Sequence, residues 1–154
     1  MYGHLLLPVS EPSLVEPLIR FSSALLDTDG EVRVLHVIPT KTLPELTRQW
    51  RASVNLVVPA HEAGAALGVR VDPEVRASTD VAGEILESAE THGSEGIVMT
   101  LRGDRRSHSP IFGHVASSIL HHAPCDVVVV NRLALTGDPS PRILLPTLSD
   151  PAPP

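Results

Sequence analysis

Five apolar runs alternate along the chain with segments in which apolar residues recur at helical spacing. The apolar runs are short, mostly lack strict alternation of polarity, and predict strands at residues 4–9, 31–39, 69–77, 96–100 and 126–131. The segments between them predict helices at residues 14–27, 43–67, 80–92 and 113–122. Asp-Thr-Asp-Gly at 27–30 predicts a turn before the second strand.

Three residues refine these elements. Pro59 lies inside the pattern of 43–67 and predicts two helical pieces, or one helix broken near Val58. Pro73 confines the third strand to a sheet edge or a bulge, because proline cannot donate to a strand ladder. Asp80 is the predicted N-cap of the following helix.

Strands that are apolar on both faces and alternate with helices predict a parallel sheet covered by helices on both sides. Right-handed crossovers then give an open, doubly wound, five-stranded α/β sandwich. Ligands of such sheets bind at the carboxyl ends of strands whose connections leave for opposite faces. If strands one and four are central neighbours, as in our predicted strand order 3-2-1-4-5, the turn after Val9 and the loop after Thr100 meet at the ligand site.

Composition limits the function. The 154 residues, of which 42% are hydrophobic, suffice for one domain with a real core. A net charge of −6 disfavours a nucleic-acid partner, and the single Cys125 excludes both an intrachain disulfide framework and a zinc site built on several thiolates. Every apolar run is too short for a signal peptide or a spanning helix, so the expected location is the cytoplasm, with attachment to a membrane protein left open.

The segment TLRGDRRSHSPIFGHV at 100–115 is locally cationic in this acidic chain. Unpaired backbone N–H groups at the start of the helix after Gly113 attract anions, and guanidinium groups match phosphate oxygens. A phosphate cradle is one interpretation of this segment. An ordinary solvated loop joining a strand to a helix is the other.

We find no catalytic constellation. His114 and His121 lie seven residues apart without an obvious carboxylate or thiolate to complete a metal site, and these histidines fit a surface or capping role at a helix C-terminus, as does His122. Cys125 fits a small core residue better than a nucleophile. The sequence also has no recognisable P-loop lysine or acidic Mg²⁺ ligand, so we expect a protein that is not an enzyme and has no metal site.

The segments LLLPVSEPS, VLHVIP, IVMTLRG and GHVASSILHHAPCDVVVV together resemble the universal stress protein domain, over roughly residues 4–132. Nucleotide-binding members of that family carry Gly, two residues, Gly, nine residues, Gly, then Ser or Thr. Gly103 and Gly113 match the second and third glycines. Three positions depart: Thr100 replaces the first glycine, His114 replaces the hydroxyl residue, and Ser10 replaces an adenosine-contacting Asp.

The resemblance implies that ATP or another adenine nucleotide binds the domain. It assigns that binding to eleven positions: Pro8, Val9, Ser10, Val37, Met99, Thr100, Arg102, Gly103, Gly113, His114 and Val115. The alternative is an interaction module that binds no nucleotide, and the three departures separate the two hypotheses.

The sequence predicts one domain at residues 1–132, followed by a C-terminal segment at residues 133–154. RILLPTLSDP at 142–151 repeats the pattern of HLLLPVSEPS at 4–13, which predicts a linker followed by the first strand of a truncated second copy; an apolar tail is the alternative. The resemblance implies a homodimer or a tandem pair through the last strand, at Val127, Val128, Val129 and Val130, and a membrane transporter as a partner in a longer parent protein.

Overall fold

Five parallel strands form one sheet in the order β3-β2-β1-β4-β5, which confirms the predicted topology. The computed structural model describes residues 1–40, 42–101 and 113–136. The strands are β1 (Tyr2–Pro8), β2 (Leu26–Pro39), β3 (Arg70–Ser78), β4 (Gly96–Leu101) and β5 (Asp126–Asn131). A 3₁₀ turn at Pro12–Leu14 precedes the helices α1 (Val15–Ser23), α2 (Leu43–Leu67), α3 (Val81–Thr91), α4 (His114–His122) and α5 (Arg132–Thr136).

Two hydrophobic clusters cover the two faces of the sheet. Successive strand residues point to opposite faces, so Leu5 and Leu7 join one cluster while Leu6 joins the other. Helices α1, α2 and α5 pack on the first face, and helices α3 and α4 pack on the second. The result is the predicted doubly wound sandwich of helices around a parallel sheet.

The predicted turn at 27–30 is wrong, because β2 begins at Leu26 and contains it. Tyr2 pairs with Leu26 and His4 pairs with Glu31, so β2 has more residues than β1 between these two pairings. A Cβ on Gly30 would lie only 3.0 Å from the carbonyl oxygen of Tyr2, which explains glycine at this crowded point. The turn residues therefore form a bulge between two paired stretches of β2.

The predicted break near Val58 is also wrong, since α2 runs unbroken through Pro59. Proline removes one helical hydrogen bond, but Leu56, Ala60 and Ala63 are buried against the sheet on either side of it. Packing of these residues holds both halves of the helix to the same face of the sheet.

The edge position of β3 and the cap of α3 follow the predictions. Pro73 lies in β3 at the sheet edge, and the Oδ1 atom of Asp80 accepts a hydrogen bond from the backbone N–H of Gly83 at 3.0 Å. At the other end of the domain, residues 133–136 belong to α5, where the sequence predicted a linker. The repeat at 142–151 lies outside the described residues and stays a prediction. None of the described helices combines the length and the apolar character needed to cross a bilayer.

Candidate functional site

The carboxyl ends of β1 and β4 lie side by side at the centre of the sheet. Leu5 pairs with Gly96 and Leu6 with Ile97, so these strands are neighbours as predicted. The chain leaves β1 for α1 on one face and leaves β4 for α4 on the other. This is the arrangement that opens a crevice at the strand ends of doubly wound sheets. We call it the carboxyl edge.

The described members of the predicted binding set all belong to elements that meet at the carboxyl edge. Arg102 and Gly103 lie outside the described residues. Val37 and Met99 are buried on the face that α4 covers and form an apolar floor there, whereas the buried Val9 belongs to the cluster on the other face. Ser10 and His114 are exposed, whereas Pro8, Thr100 and Val115 are half-buried. An apolar floor with exposed polar groups beside it suits a ligand that has one apolar and one polar part.

Helix α4 begins at this edge without a side-chain cap. The carbonyl of Gly113 accepts from the N–H of Ser117 at 3.0 Å, Gly113 itself has no side chain to cap the helix, and the first turn lacks an acidic residue. The positive end of the α4 dipole is therefore not neutralised by its own first turn. Such an end can receive an anion through backbone N–H groups.

Glycine at position 113 is not required by the described part of the fold. Its φ of −53° is open to any residue, and an added Cβ would meet no described atom within 4 Å. Space beside the start of α4 is thus free of described protein atoms. Sequence reasoning assigned Gly113 to close approach of a ligand, and that role stays a prediction.

His36 fixes the turn that follows β1, which we define as residues 9–11 and call the β1 exit turn. Its Nδ1 atom lies 2.8 Å from the carbonyl oxygen of Val9, where a protonated Nδ1 donates a hydrogen bond. The N–H of Val9 donates to the carbonyl of Leu35 at 2.9 Å. Both backbone groups of Val9 are therefore held by β2. Sequence reasoning missed His36, although it is the one polar residue within VLHVIP.

An ion pair holds the same turn from the other side. Arg132, the first residue of α5, donates from Nη1 and Nη2 to the two carboxylate oxygens of Glu11, at 3.0 and 2.5 Å. This fork joins the β1 exit turn to the chain just after β5. Ser10 lies between the two tethered residues, Val9 and Glu11. Glu11 and Arg132 are 121 positions apart, so no local pattern in the sequence predicts that they pair.

The histidines near the end of α4 are exposed, in line with the predicted surface role, and they contact carbonyls one turn back in their own helix rather than its last four carbonyls. The Nδ1 atoms of His121 and His122 lie 2.8 and 3.0 Å from the carbonyl oxygens of Ser117 and Ser118. Cys125 packs against the second hydrophobic cluster, and burial, followed by the nearby Asp126 carboxylate, raises the pKa of its thiol. Across the described ranges, no three His, Cys, Asp or Glu side chains are grouped to hold a metal ion.

Comparison with models of known families identifies the family of this chain. The model of the universal stress protein family matches residues 1–131. The chain belongs to the universal stress protein family. No curated protein sequence matches it.

Solved universal stress protein folds superpose on nearly their full lengths. The protein MJ0577 has 21% identity and a TM-score of 0.67, with 86% of this chain and 97% of that one covered. The universal stress protein from Archaeoglobus fulgidus in complex with dAMP has 17% identity, a TM-score of 0.60, and coverages of 83% and 97%. The family protein At3g01520 from Arabidopsis thaliana with AMP bound has 17% identity, a TM-score of 0.59, and coverages of 92% and 99%. At these identities the likeness establishes the fold.

The three departures from the nucleotide-binding pattern of universal stress proteins all lie at the carboxyl edge. Ser10 and His114 are exposed, so neither side chain packs in the hydrophobic core. Thr100 is half-buried on β4 and pairs with Val130 of β5. The three departures thus alter polar positions of the carboxyl edge, and none of them is a residue of the apolar floor.

Proposed function

We propose that this universal stress protein domain is a non-enzymatic regulatory domain that binds an adenine nucleotide at the carboxyl edge. The observation that carries the proposal is the start of α4 at Gly113, which has no side chain to cap it and lies on the same face of the sheet as the apolar floor of Val37 and Met99. The structures of relatives from A. fulgidus with dAMP and from A. thaliana with AMP support the ligand class.

Each part of the nucleotide has a chemical counterpart at this edge. The N–H groups at the start of α4 suit a phosphate, since they carry partial positive charge and have no side-chain cap. The buried apolar side chains suit the face of the base. The imidazole of His114 is exposed in the first turn of α4 and can donate a hydrogen bond where most relatives would offer a hydroxyl. Arg102 and Gly103 are assigned to the same ligand by sequence alone.

Titration calorimetry with ATP, AMP and cyclic AMP tests the proposal. Gly113→Asp places a carboxylate at the expected phosphate position, and Asp is a favoured N-cap that stabilises the helix start. Its binding should weaken at least about tenfold, which corresponds to about 1.4 kcal/mol, without loss of thermal stability. Thr42→Asp is the matched control, because Thr42 precedes α2 with no side-chain cap either.

Saturable binding by the wild type and by Thr42→Asp, but not by Gly113→Asp, is the expected result. If the wild type gives no saturable heat with any of the three nucleotides, nucleotide binding is ruled out under those conditions. If Gly113→Asp binds as tightly as Thr42→Asp, the phosphate does not lie at the start of α4.

The outer edge of β5 favours a second function, pairing with another domain of the same kind. Within the described residues β5 pairs with β4 alone, and its Val127 and Val128 are only half-buried. An apolar edge strand is prone to pair with a further strand. We propose that this edge forms a homodimer, or a tandem pair in a longer parent protein, in the cytoplasm. A membrane transporter is the proposed partner of such a parent.

Sedimentation equilibrium tests this pairing. Val128→Lys puts a charge on the β5 edge and should halve the observed mass at concentrations where the wild type associates. Val75→Lys is the matched control, since Val75 is a half-buried valine on β3 at the opposite edge. Equal masses for the wild type and Val128→Lys would argue against pairing through β5.

A further inference from the structure

Helix α2 carries a stripe of exposed apolar side chains on its outer face. Trp50, Val54 and Val58 are 50%, 53% and 50% exposed, and they recur every four residues. Residues at this spacing lie along one face of a helix. We call these three residues the α2 stripe. Single exposed apolar residues are common, but an aromatic and two valines in line form a contiguous patch of the kind that marks a contact surface.

The α2 stripe is symmetric about Val54. Trp50 lies four residues before it and Val58 four residues after it, so each is displaced about 40° around the helix axis, in opposite directions. A two-fold axis through Val54 would therefore bring Trp50 of one copy level with Val58 of the other at both ends of the contact. In such a pair, residue i contacts residue j and j contacts i.

Two side chains of opposite charge distinguish the two ends of the α2 stripe. Arg48 lies six residues before Val54 and Glu62 eight residues after it, both on the same side of the α2 stripe. Both are exposed, and neither makes an ion pair within the described ranges. By contrast, Arg33 and Arg76 are paired with carboxylates of their own domain.

We propose that the α2 stripe pairs with the α2 stripe of a second copy of this chain, antiparallel and centred on Val54. In that arrangement Val54 meets its twin and Trp50 meets Val58 twice. Arg48 of one protomer and Glu62 of the other lie at levels only about 3 Å apart along the axis, at a rise of about 1.5 Å per residue. Two equivalent ion pairs therefore flank the apolar contact.

A parallel pair is disfavoured by the same charges. It would bring Arg48 level with Arg48 and Glu62 level with Glu62 on opposite sides of the contact, and it would leave Arg48 about 21 Å along the axis from Glu62, so no ion pair could form. The charge pattern thus selects the antiparallel arrangement. This interface is distinct from the β5 edge and does not depend on nucleotide binding.

Cysteine cross-linking of the full chain locates the two-fold axis. With Cys125→Ser as the background, Val54→Cys should form an intermolecular disulfide readily, because a bridge requires Cα atoms within about 7 Å. Ala66→Cys is the matched control, an exposed alanine on the same helix. Twelve residues from the axis, it would lie about 36 Å from its twin along the helix direction.

Charge reversal tests the ion pairs in the Val54→Cys background. Arg48→Glu or Glu62→Arg alone should slow disulfide formation by roughly tenfold, because each reversal removes two exposed ion pairs and adds two repulsions. The double reversal should restore the rate. A rate for Val54→Cys no faster than for Ala66→Cys overturns the proposal, as does a double reversal that is no faster than the single ones.

Discussion

Replacing His36 by leucine should loosen the β1 exit turn. The imidazole Nδ1 lies 2.8 Å from the carbonyl oxygen of Val9, and this is the side-chain contact that ties the turn to β2. Leucine removes the donor, and the half-buried carbonyl loses its partner. A buried acceptor left without a donor costs about 1–3 kcal/mol. Since His36 is itself half-buried and water has some access, we expect about 1 kcal/mol.

Urea denaturation gives the free energy of unfolding, and amide hydrogen exchange gives the local effect. A loss of about 1 kcal/mol corresponds to a fall in Tm of about 2–4 °C for a domain of this size. Exchange at the N–H of Val9, which donates to the carbonyl of Leu35, should accelerate more than exchange in β3, which lies two strands away from β1. If the domain binds a nucleotide at the carboxyl edge, the affinity for that nucleotide should be lower in His36→Leu, because the β1 exit turn is less ordered.

His36→Asn is the control that separates the hydrogen bond from the packing of the ring. The side-chain amide of Asn can place an N–H close to where Nδ1 of His stands, so it can still donate to Val9. We expect Asn to recover most of the slow exchange at the N–H of Val9. If Leu and Asn behave alike, or if Leu leaves exchange at Val9 unchanged, the tether has no role in ordering the turn.

Three further predictions concern charge and capping. Burial alone would raise the pKa of Glu74, but hydrogen bonds and charge from Arg76, and from a second arginine on β2, outweigh it and lower that pKa below the usual 4.5. The stabilisation by Glu74 is therefore present above pH 4.5 and lost as the pH falls through the lowered pKa, so the cost of Glu74→Gln in urea denaturation should shrink in acid. Asp80→Ala should cost about 1 kcal/mol by loss of the N-cap bond to Gly83, and Asp80→Asn should cost much less. Because burial and then Asp126 raise the pKa of the Cys125 thiol, its alkylation rate should keep rising above pH 9.0, and a plateau below that pH would contradict the burial.

The strands were predictable because each depends on a local run of apolar residues. Leu5–Leu7 and Ile97–Met99 are apolar at every position, which identifies strands buried on both faces whatever their neighbours are. The two errors, at 27–30 and at Pro59, have one cause. Turn residues and proline are local signals, whereas strand pairing around the bulge and packing of α2 on the sheet are distant contacts that override them.

The position of the candidate site was predictable from topology, but the side chains that order it were not. Any doubly wound sheet with β1 beside β4 brings the turn after Val9 to the carboxyl edge. The tethers of that turn join residues 27 and 121 positions apart in the sequence. Nothing local distinguishes Glu11 or Arg132 from other surface charges, so only the folded chain reveals their pairing.

The two proposed interfaces are compatible with each other because they lie at different places on the sheet. The β5 edge ends the sheet on one side, whereas α2 packs on β2 and β3 near the other edge. A protomer with two different two-fold contacts forms a closed tetramer when the axes meet at right angles, and a growing chain when they do not. Loss of one contact then leaves the dimer held by the other. Mass measurements on Val128→Lys and on Arg48→Glu should therefore each give a dimer, and only the combined variant should give a monomer.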